Sequence, residues 1–210
     1  KLLEYPNNPF AEEALIMRAE VQFNQQQMAE ALTSYKMLKE KATNVERRQL
    51  AETGILRCAF LLRDDVKTIH AATEVLAEAK LSPELKNEAL YYRAKAYKNQ
   101  KADKKALDDF RELAKDTRNS YGAEAKYQVA QALYDAKEYA AAEKELLNYI
   151  EQSTPHAYWL ARSFVLLSDV YVAMGKALDA RQYLLSLQQN YQGNDDIESM
   201  IEDRLKKLNK

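Results

Sequence analysis

Catalysis needs a nucleophile beside a base, a pair of acids with separated pKa values, or metal ligands at close spacing. The two histidines, His70 and His156, lie far apart, and neither stands in an H-E-x-x-H or other ligand cluster. His156 follows Pro155 and is expected in a solvated turn; His70 is expected to be a partly packed helix residue. Cys58 is the only cysteine, so it has no partner for an internal disulfide. Its apolar surroundings read as a helix-contact position, where a thiol is inert. The many carboxylates are spaced four residues from lysines, the pattern of solvated helix faces. No glycine-rich phosphate loop is present. These residues point to no enzyme, no cofactor and no metal.

A second chemistry is nucleic-acid binding. The stretch LYYRAKAYKNQ, Leu90 to Gln100, interleaves Tyr91, Tyr92 and Tyr97 with Arg93, Lys95 and Lys98. Aromatic rings stack on bases while cations hold phosphates. Over the whole chain, however, 31 basic residues face 32 acids, for a net charge of -1. A dedicated nucleic-acid binder carries a basic excess or a basic face. Comparable places elsewhere hold Glu20, Gln131, Asp135 and Asp169, so the surface is mixed in sign and nucleic acid is not the expected partner. No run of about 18 apolar residues occurs, so no direct membrane insertion is expected.

What remains is architecture. Only four glycines and four prolines occur, and the dominant residues are good helix formers. Apolar residues recur at three and four positions, as in amphipathic helices, so the fold class is all-α. The helices repeat. RAEVQFNQQQMAEALTSYKML holds Ala19, Phe23, Ala31, Tyr35 and Leu38. RAKAYKNQKADKKALDDFREL holds Ala94, Tyr97, Ala106, Phe110 and Leu113. Two further copies give Ala130, Tyr134, Ala142, Leu146 and Tyr149, then Ser168, Tyr171, Ala180, Leu184 and Leu187. In all four the small residues stand 12 apart. A weaker copy places Cys58 at the first small site and Ala71 or Ala72 near the second, and lacks the hairpin aromatics. On this reading the first sites recur every 36 to 39 residues. Small residues on both helices of a pair let the backbones approach. The bulky residue one turn further fills the space to the next pair, and stacked pairs bury what one pair cannot.

This pattern resembles the tetratricopeptide repeat, with Gly175 of AMGKALDA at that family's hairpin-turn glycine. The resemblance covers roughly residues 9 to 192, although the period exceeds the usual ~34 residues. It implies a right-handed α-solenoid of about five antiparallel helix pairs in a single domain, residues 1–210. The pairs would span 9–43, 44–82, 83–118, 119–154 and 155–192. Residues 1–8 would end a preceding repeat, and residues 193–210 would form a capping helix striped by Ile197, Ile201, Leu205 and Leu208. Pro9, Pro83 and Pro155 set the phase, because a proline at the start of a helix lacks only an N–H that would be unpaired anyway. Phrases such as YPNNPFAEEALIMRAE are similar to repeats of the bacterial cell-envelope type. They imply a periplasmic or outer-membrane-associated location, with the cytoplasm second, and the C-terminal fragment of a longer protein.

The resemblance also implies a function: a scaffold that binds a protein or peptide segment in the concave groove made by the first helices. Groove positions stand three residues before the first small site, and one, four and five after it. They are Tyr91, Lys95, Lys98 and Asn99 in the third repeat and Tyr127, Gln131, Tyr134 and Asp135 in the fourth. The fifth gives Val165, Asp169, Val172 and Ala173, and the first gives Ile16, Glu20, Phe23 and Asn24. The candidate site is Tyr91, Lys95, Lys98, Asn99, Tyr127, Gln131, Tyr134, Asp135 and Asp169. Trp159 is expected as a packing anchor. The alternative is a structural spacer, or an accessory domain of a larger envelope protein whose active part lies upstream.

Overall fold

The computed structural model describes residues 10–152 and 154–208; the expected helix end at Lys1 to Tyr5 and the phase-setting Pro9 lie outside them. Among the described residues there are eleven helices and no strand. They divide into two compact units, with the boundary between Asp109 and Phe110. The first unit holds α1 (Ala11–Asn24), α2 (Met28–Lys41), α3 (Val45–Leu61), α4 (Asp65–Leu76), α5 (Pro83–Asn99) and the start of α6 (Asp103–Leu113). The second holds the end of α6, then α7 (Ser120–Asp135), α8 (Tyr139–Glu151), α9 (Ala157–Ala173), α10 (Ala177–Asn190) and α11 (Ile197–Leu208).

Helix starts follow local chemistry. Asn44, Ser82 and Asn119 accept the N–H of Arg47, Leu85 and Gly122 at 2.8, 3.2 and 2.8 Å. Each thereby satisfies one orphan donor at the head of a first helix, and Pro83 opens α5 where no N–H is needed. The turns inside pairs are more uniform still. Each is three residues long, and one residue in each takes the left-handed conformation: Gln26, Arg63, Lys101, Lys137 and Gly175, with φ between 56 and 76°. In the first turn Gln26 N–H reaches the Phe23 carbonyl and Gln27 N–H the Gln22 carbonyl, both at 2.9 Å. This is a Schellman closure, repeated at the other four turns. Only Gly175 accepts that conformation without steric cost; a residue with a Cβ gives up about 1 kcal/mol.

The small residues at the pair contacts are buried. Ala19, Ala31, Ala94, Ala106, Ala130, Ala142, Ser168 and Ala180 are at most 3% exposed. In the first unit Leu15, Ala19, Ala31, Tyr35, Leu38, Ala51 and Cys58 form one core across α1, α2 and α3. Gly54 explains how α3 can lie on α2, because a Cβ there would stand 2.5 Å from the Tyr35 ring. In the second unit Tyr127, Ala130, Ala142, Leu146, Leu166, Leu167, Val170, Tyr171 and Ala180 form another core. α11 closes that unit, with Ile197 and Ile201 packed on Ala161, Val165, Leu184 and Leu187.

The second pair departs from the sequence reading. Counting back seven from the left-handed residue gives Ala19, Ala94, Ala130 and Ser168, but in this pair it gives Leu56. Counting forward five gives Thr68, which is 1% exposed. Leu56 and Thr68 are therefore the counterparts of the small pair, 12 residues apart like the rest. Cys58 lies two positions beyond the first small site, and Ala72 stands where the other pairs hold Tyr35, Phe110, Leu146 and Leu184. The bulk has moved from the second helix to the first: Leu56 packs in one cluster with Ala71, Ala72, Val75 and Ala89. The hairpin aromatic is also present. Phe60 takes the place of Phe23 and Tyr134, stacked on Tyr92 at 3.9 Å and 13°.

Three smaller expectations are settled. The His70 side chain is 76% exposed, with Nδ1 3.4 Å from Glu74, so it is solvated rather than packed. His156 is the half-buried one; its Nε2 lies 3.0 Å from the Arg118 carbonyl, which requires that nitrogen to carry the proton. Cys58 is fully buried, and burial pushes its thiol up to about 11.

Candidate binding surface

In the first unit the sequence-chosen residues lie on α5. Packing of its Ala89 and Tyr92 on α4 leaves Tyr91 and Lys95 half-buried and Lys98 and Asn99 exposed. The Lys95 ammonium sits 5.6 Å from the Tyr91 ring centroid, a cation–π contact. Asn99 donates to Asp65 on α4 at 3.0 Å. The patch is basic at its end and aromatic at its root.

Arg57 was missed because the second pair was read two residues out of register. In the corrected register it occupies on α3 the place that Lys95 holds on α5. Its Nε and one terminal nitrogen grip both oxygens of Glu88, each at 2.7 Å. That bidentate bond outweighs burial in its effect on the guanidinium and raises its pKa. Arg57 lines a pocket of about 260 Å³ together with Glu20, Phe23, Tyr35, Thr53 and Gly54. The sequence did contain a signal: Asp64 caps α4 by accepting Lys67 N–H at 3.0 Å, which fixes the turn and hence the register.

In the second unit the candidates sit on α7 and α9. Tyr127 is 8% exposed, Gln131 and Tyr134 are half-buried, and Asp135 is exposed. They form a ladder along one face. Tyr127 Oη donates to Gln131 Oε1 at 3.0 Å, and Gln131 Nε2 donates to Asp135 Oδ1 at 2.8 Å. The buried end of the ladder is fixed from α9. The Arg162 guanidinium lies 5.1, 5.7 and 6.0 Å from the ring centroids of Tyr127, Tyr158 and Trp159. It donates to the Tyr127 hydroxyl at 3.4 Å and to that of Tyr158 at 2.9 Å. Trp159 is half-buried with its ring 5.6 Å from that of Tyr127, a packing anchor.

On α9 the same register positions behave differently. Val165 is 1% exposed, covered by α11. Asp169 is half-buried and accepts from Arg204 Nε at 2.8 Å and from a terminal nitrogen at 2.7 Å. Burial, and then the negative charge of Asp169, push the Tyr134 phenol upward. Val172 and Ala173 are exposed. The position three residues before the small site therefore packs in this unit, and the position five after it, Asp135 or Ala173, faces water.

Comparison with known proteins agrees with this geometry. The tetratricopeptide repeat model matches residues 13–44 and 88–120, and the chain carries tetratricopeptide repeats there. No curated protein sequence matches the chain. Among solved structures, a tetratricopeptide repeat protein from Parabacteroides merdae superposes with a TM-score of 0.61 at 18% identity, over 99% of this chain and 81% of that one. The C-terminal part of a TPR repeat-containing protein from Cytophaga hutchinsonii gives 0.65 at 13% identity, over 92% of this chain and 77% of that one. A thermophilic TPR protein from Thermus thermophilus gives 0.50 at 14% identity, over 93% and 99%. At such identities the likeness is one of fold: an all-α helical-repeat solenoid. Repeats of this kind generally mediate protein–protein contacts and are generally non-enzymatic. No described helix is long and apolar enough to cross a membrane.

Proposed function

We propose that the chain is a non-enzymatic interaction scaffold that binds a protein or peptide segment along the first helices of its repeats. In the second unit the binding surface is Gln131, Tyr134 and Asp135 of α7, with Tyr127 as its buried root and Asp169 beside it. In the first unit it is Tyr91, Lys95, Lys98 and Asn99 of α5. One observation carries this reading: the Tyr127–Gln131–Asp135 ladder runs from core to solvent along α7. It holds an amide and a carboxylate in fixed rotamers at the surface. Pre-ordered polar groups beside aromatic area bind an extended segment at low entropic cost.

A second reading, a structural spacer, draws on a different observation. Asp169 is held by Arg204 and Tyr127 by Arg162, so part of the polar set already has partners within the chain. Photo-crosslinking in cells of the source organism separates the two. A benzoylphenylalanine replacing Lys98 or Tyr134 should capture one discrete protein, while the same residue replacing exposed Arg181 on α10 should not. Equal yields, or no adduct at all three positions, would leave the spacer.

A further inference from the structure

The hairpin turns of the first unit lie along one edge. Asn99, at the end of α5, donates to Asp65, at the start of α4, at 3.0 Å, which sets the α5–α6 turn beside the α3–α4 turn. On the other side Phe23, Gln26 and Met28 share an open recess with Leu61, which places the α1–α2 turn there. The three turns close in the same way, but their side chains differ. The two residues before the left-handed one are Asn24 and Gln25 in the first turn and Asn99 and Gln100 in the third. In the second they are Leu61 and Leu62. Three residues after it stand Ala29, Val66 and Lys104 in turn. Leu61, Leu62 and Val66 are 50, 43 and 69% exposed. Turn closure does not require them, since asparagine and glutamine form the same turn twice in this unit.

The neighbouring turn supplies charge. From Lys98 to Lys105 the chain holds four exposed lysines against one acid, Asp103, and Lys104 stands at the register position of Val66. The acids of the second turn are engaged within the unit: Asp64 accepts from the N–H and the ammonium of Lys67, and Asp65 accepts from Asn99. The backbone is satisfied as well. The N–H groups of Leu62, Arg63 and Asp64 reach the carbonyls of Cys58, Phe60 and Ala59 at 2.9, 3.0 and 3.0 Å. A tip whose donors are already paired can enter a low-dielectric layer without leaving an N–H unbonded. An acidic protein patch would use the lysines but not the projecting leucines, and an apolar partner would use the leucines but not the lysines. A bilayer face, hydrocarbon beneath and phosphate above, uses both. We propose that this edge docks on an anionic phospholipid membrane. Leu62 and Val66 enter the acyl boundary, and Lys101, Lys104 and Lys105 lay their stems on it and hold the phosphates with their ammonium groups. The contact is peripheral and spans nothing. It meets the binding surface proposed above only at Lys98 and Asn99 and does not depend on that reading.

The test is co-sedimentation of the chain with vesicles of phosphatidylglycerol and phosphatidylcholine in equal parts, beside vesicles of phosphatidylcholine alone. The anionic vesicles should retain the chain more strongly by roughly tenfold or more. Leu62→Gln combined with Val66→Gln removes the apolar contact without altering charge and should lower partitioning roughly tenfold. Lys101→Gln combined with Lys104→Gln should lower it further, by about fivefold for each lysine; Gln26 shows that glutamine holds the left-handed turn conformation. All four side chains are exposed, so both double variants should keep their circular dichroism and melting temperature, and Gln131→Ala should leave vesicle binding unchanged. No retention on anionic vesicles, equal retention on neutral ones, or undiminished partitioning of the Leu62→Gln, Val66→Gln chain would overturn the proposal. Soluble polyglutamate bound as tightly as the vesicles would also overturn it, by assigning the lysines to an acidic protein.

Discussion

α7 and α9 present the same register to their surroundings and do different things with it. On α7 the positions read Tyr127, Gln131 and Asp135, a ladder that ends in solvent. On α9 they read Val165, Asp169 and Ala173, where Val165 is sealed beneath α11 and Asp169 is clamped by Arg204 from the same helix. A position is set free or recruited by what the next helix brings over it, and α11 brings Ile197, Ile201 and Arg204. Repeat register locates a face; the neighbour decides whether that face stays open or packs.

Four substitutions probe the contrast. Tyr127→Ala should cost most. It deletes a ring packed on Trp159 and Arg162, so about 3–5 kcal/mol of stability is expected from chemical denaturation, and binding is lost with the fold. Val165→Ala removes two buried methyl groups and should cost about 1.5–3 kcal/mol, with no effect on the α7 ladder. Arg204→Ala leaves Asp169 half-buried without its bidentate donor. A loss of about 1–2 kcal/mol is expected, localised by hydrogen exchange to α9 and α11. Gln131→Ala should be smallest for stability, within about 0.5 kcal/mol as for a surface site, while strongly lowering capture by the photoreactive probe at Tyr134.

Acid titration adds one more. The hydrogen bond from Arg47 holds the Glu12 carboxyl below the ordinary carboxylate range. A depressed carboxylate stabilises above its unfolded pKa, and that contribution disappears as pH falls through the folded value. Glu12→Gln should therefore flatten the acid side of the stability profile and leave its slope above neutrality unchanged.

The helix pairs, their buried alanines and the capping stripe of Ile197 and Ile201 could be read directly, because small and large residues recur at fixed spacing where backbones must touch. The second pair could not. It keeps the volume but exchanges its place, Leu56 on the first helix with Ala72 on the second, against Ala19 and Tyr35 in the first pair. A search for small residues therefore settled on Cys58, hiding both Phe60 and Arg57. The left-handed turn residues were also invisible, since four of the five are Gln, Arg or Lys and the turn is imposed by the helices it joins. Among the candidate positions, the exposed ends Lys98, Asn99 and Asp135 were readable from register alone. The burial of Tyr127 and Val165 was not, because Trp159, Arg162 and α11 act from elsewhere in the unit.

The most direct measurement sets Gln131→Ala beside Val165→Ala, recording melting temperature and crosslinking yield from a photoreactive residue at Tyr134. The α7 face is predicted to be dispensable for folding and required for capture. Gln131→Ala should then melt with the parent chain and lose the adduct, while Val165→Ala melts several degrees lower and keeps it below its transition. Equal melting losses in both, or an adduct that survives Gln131→Ala, would contradict the assignment of that face to binding.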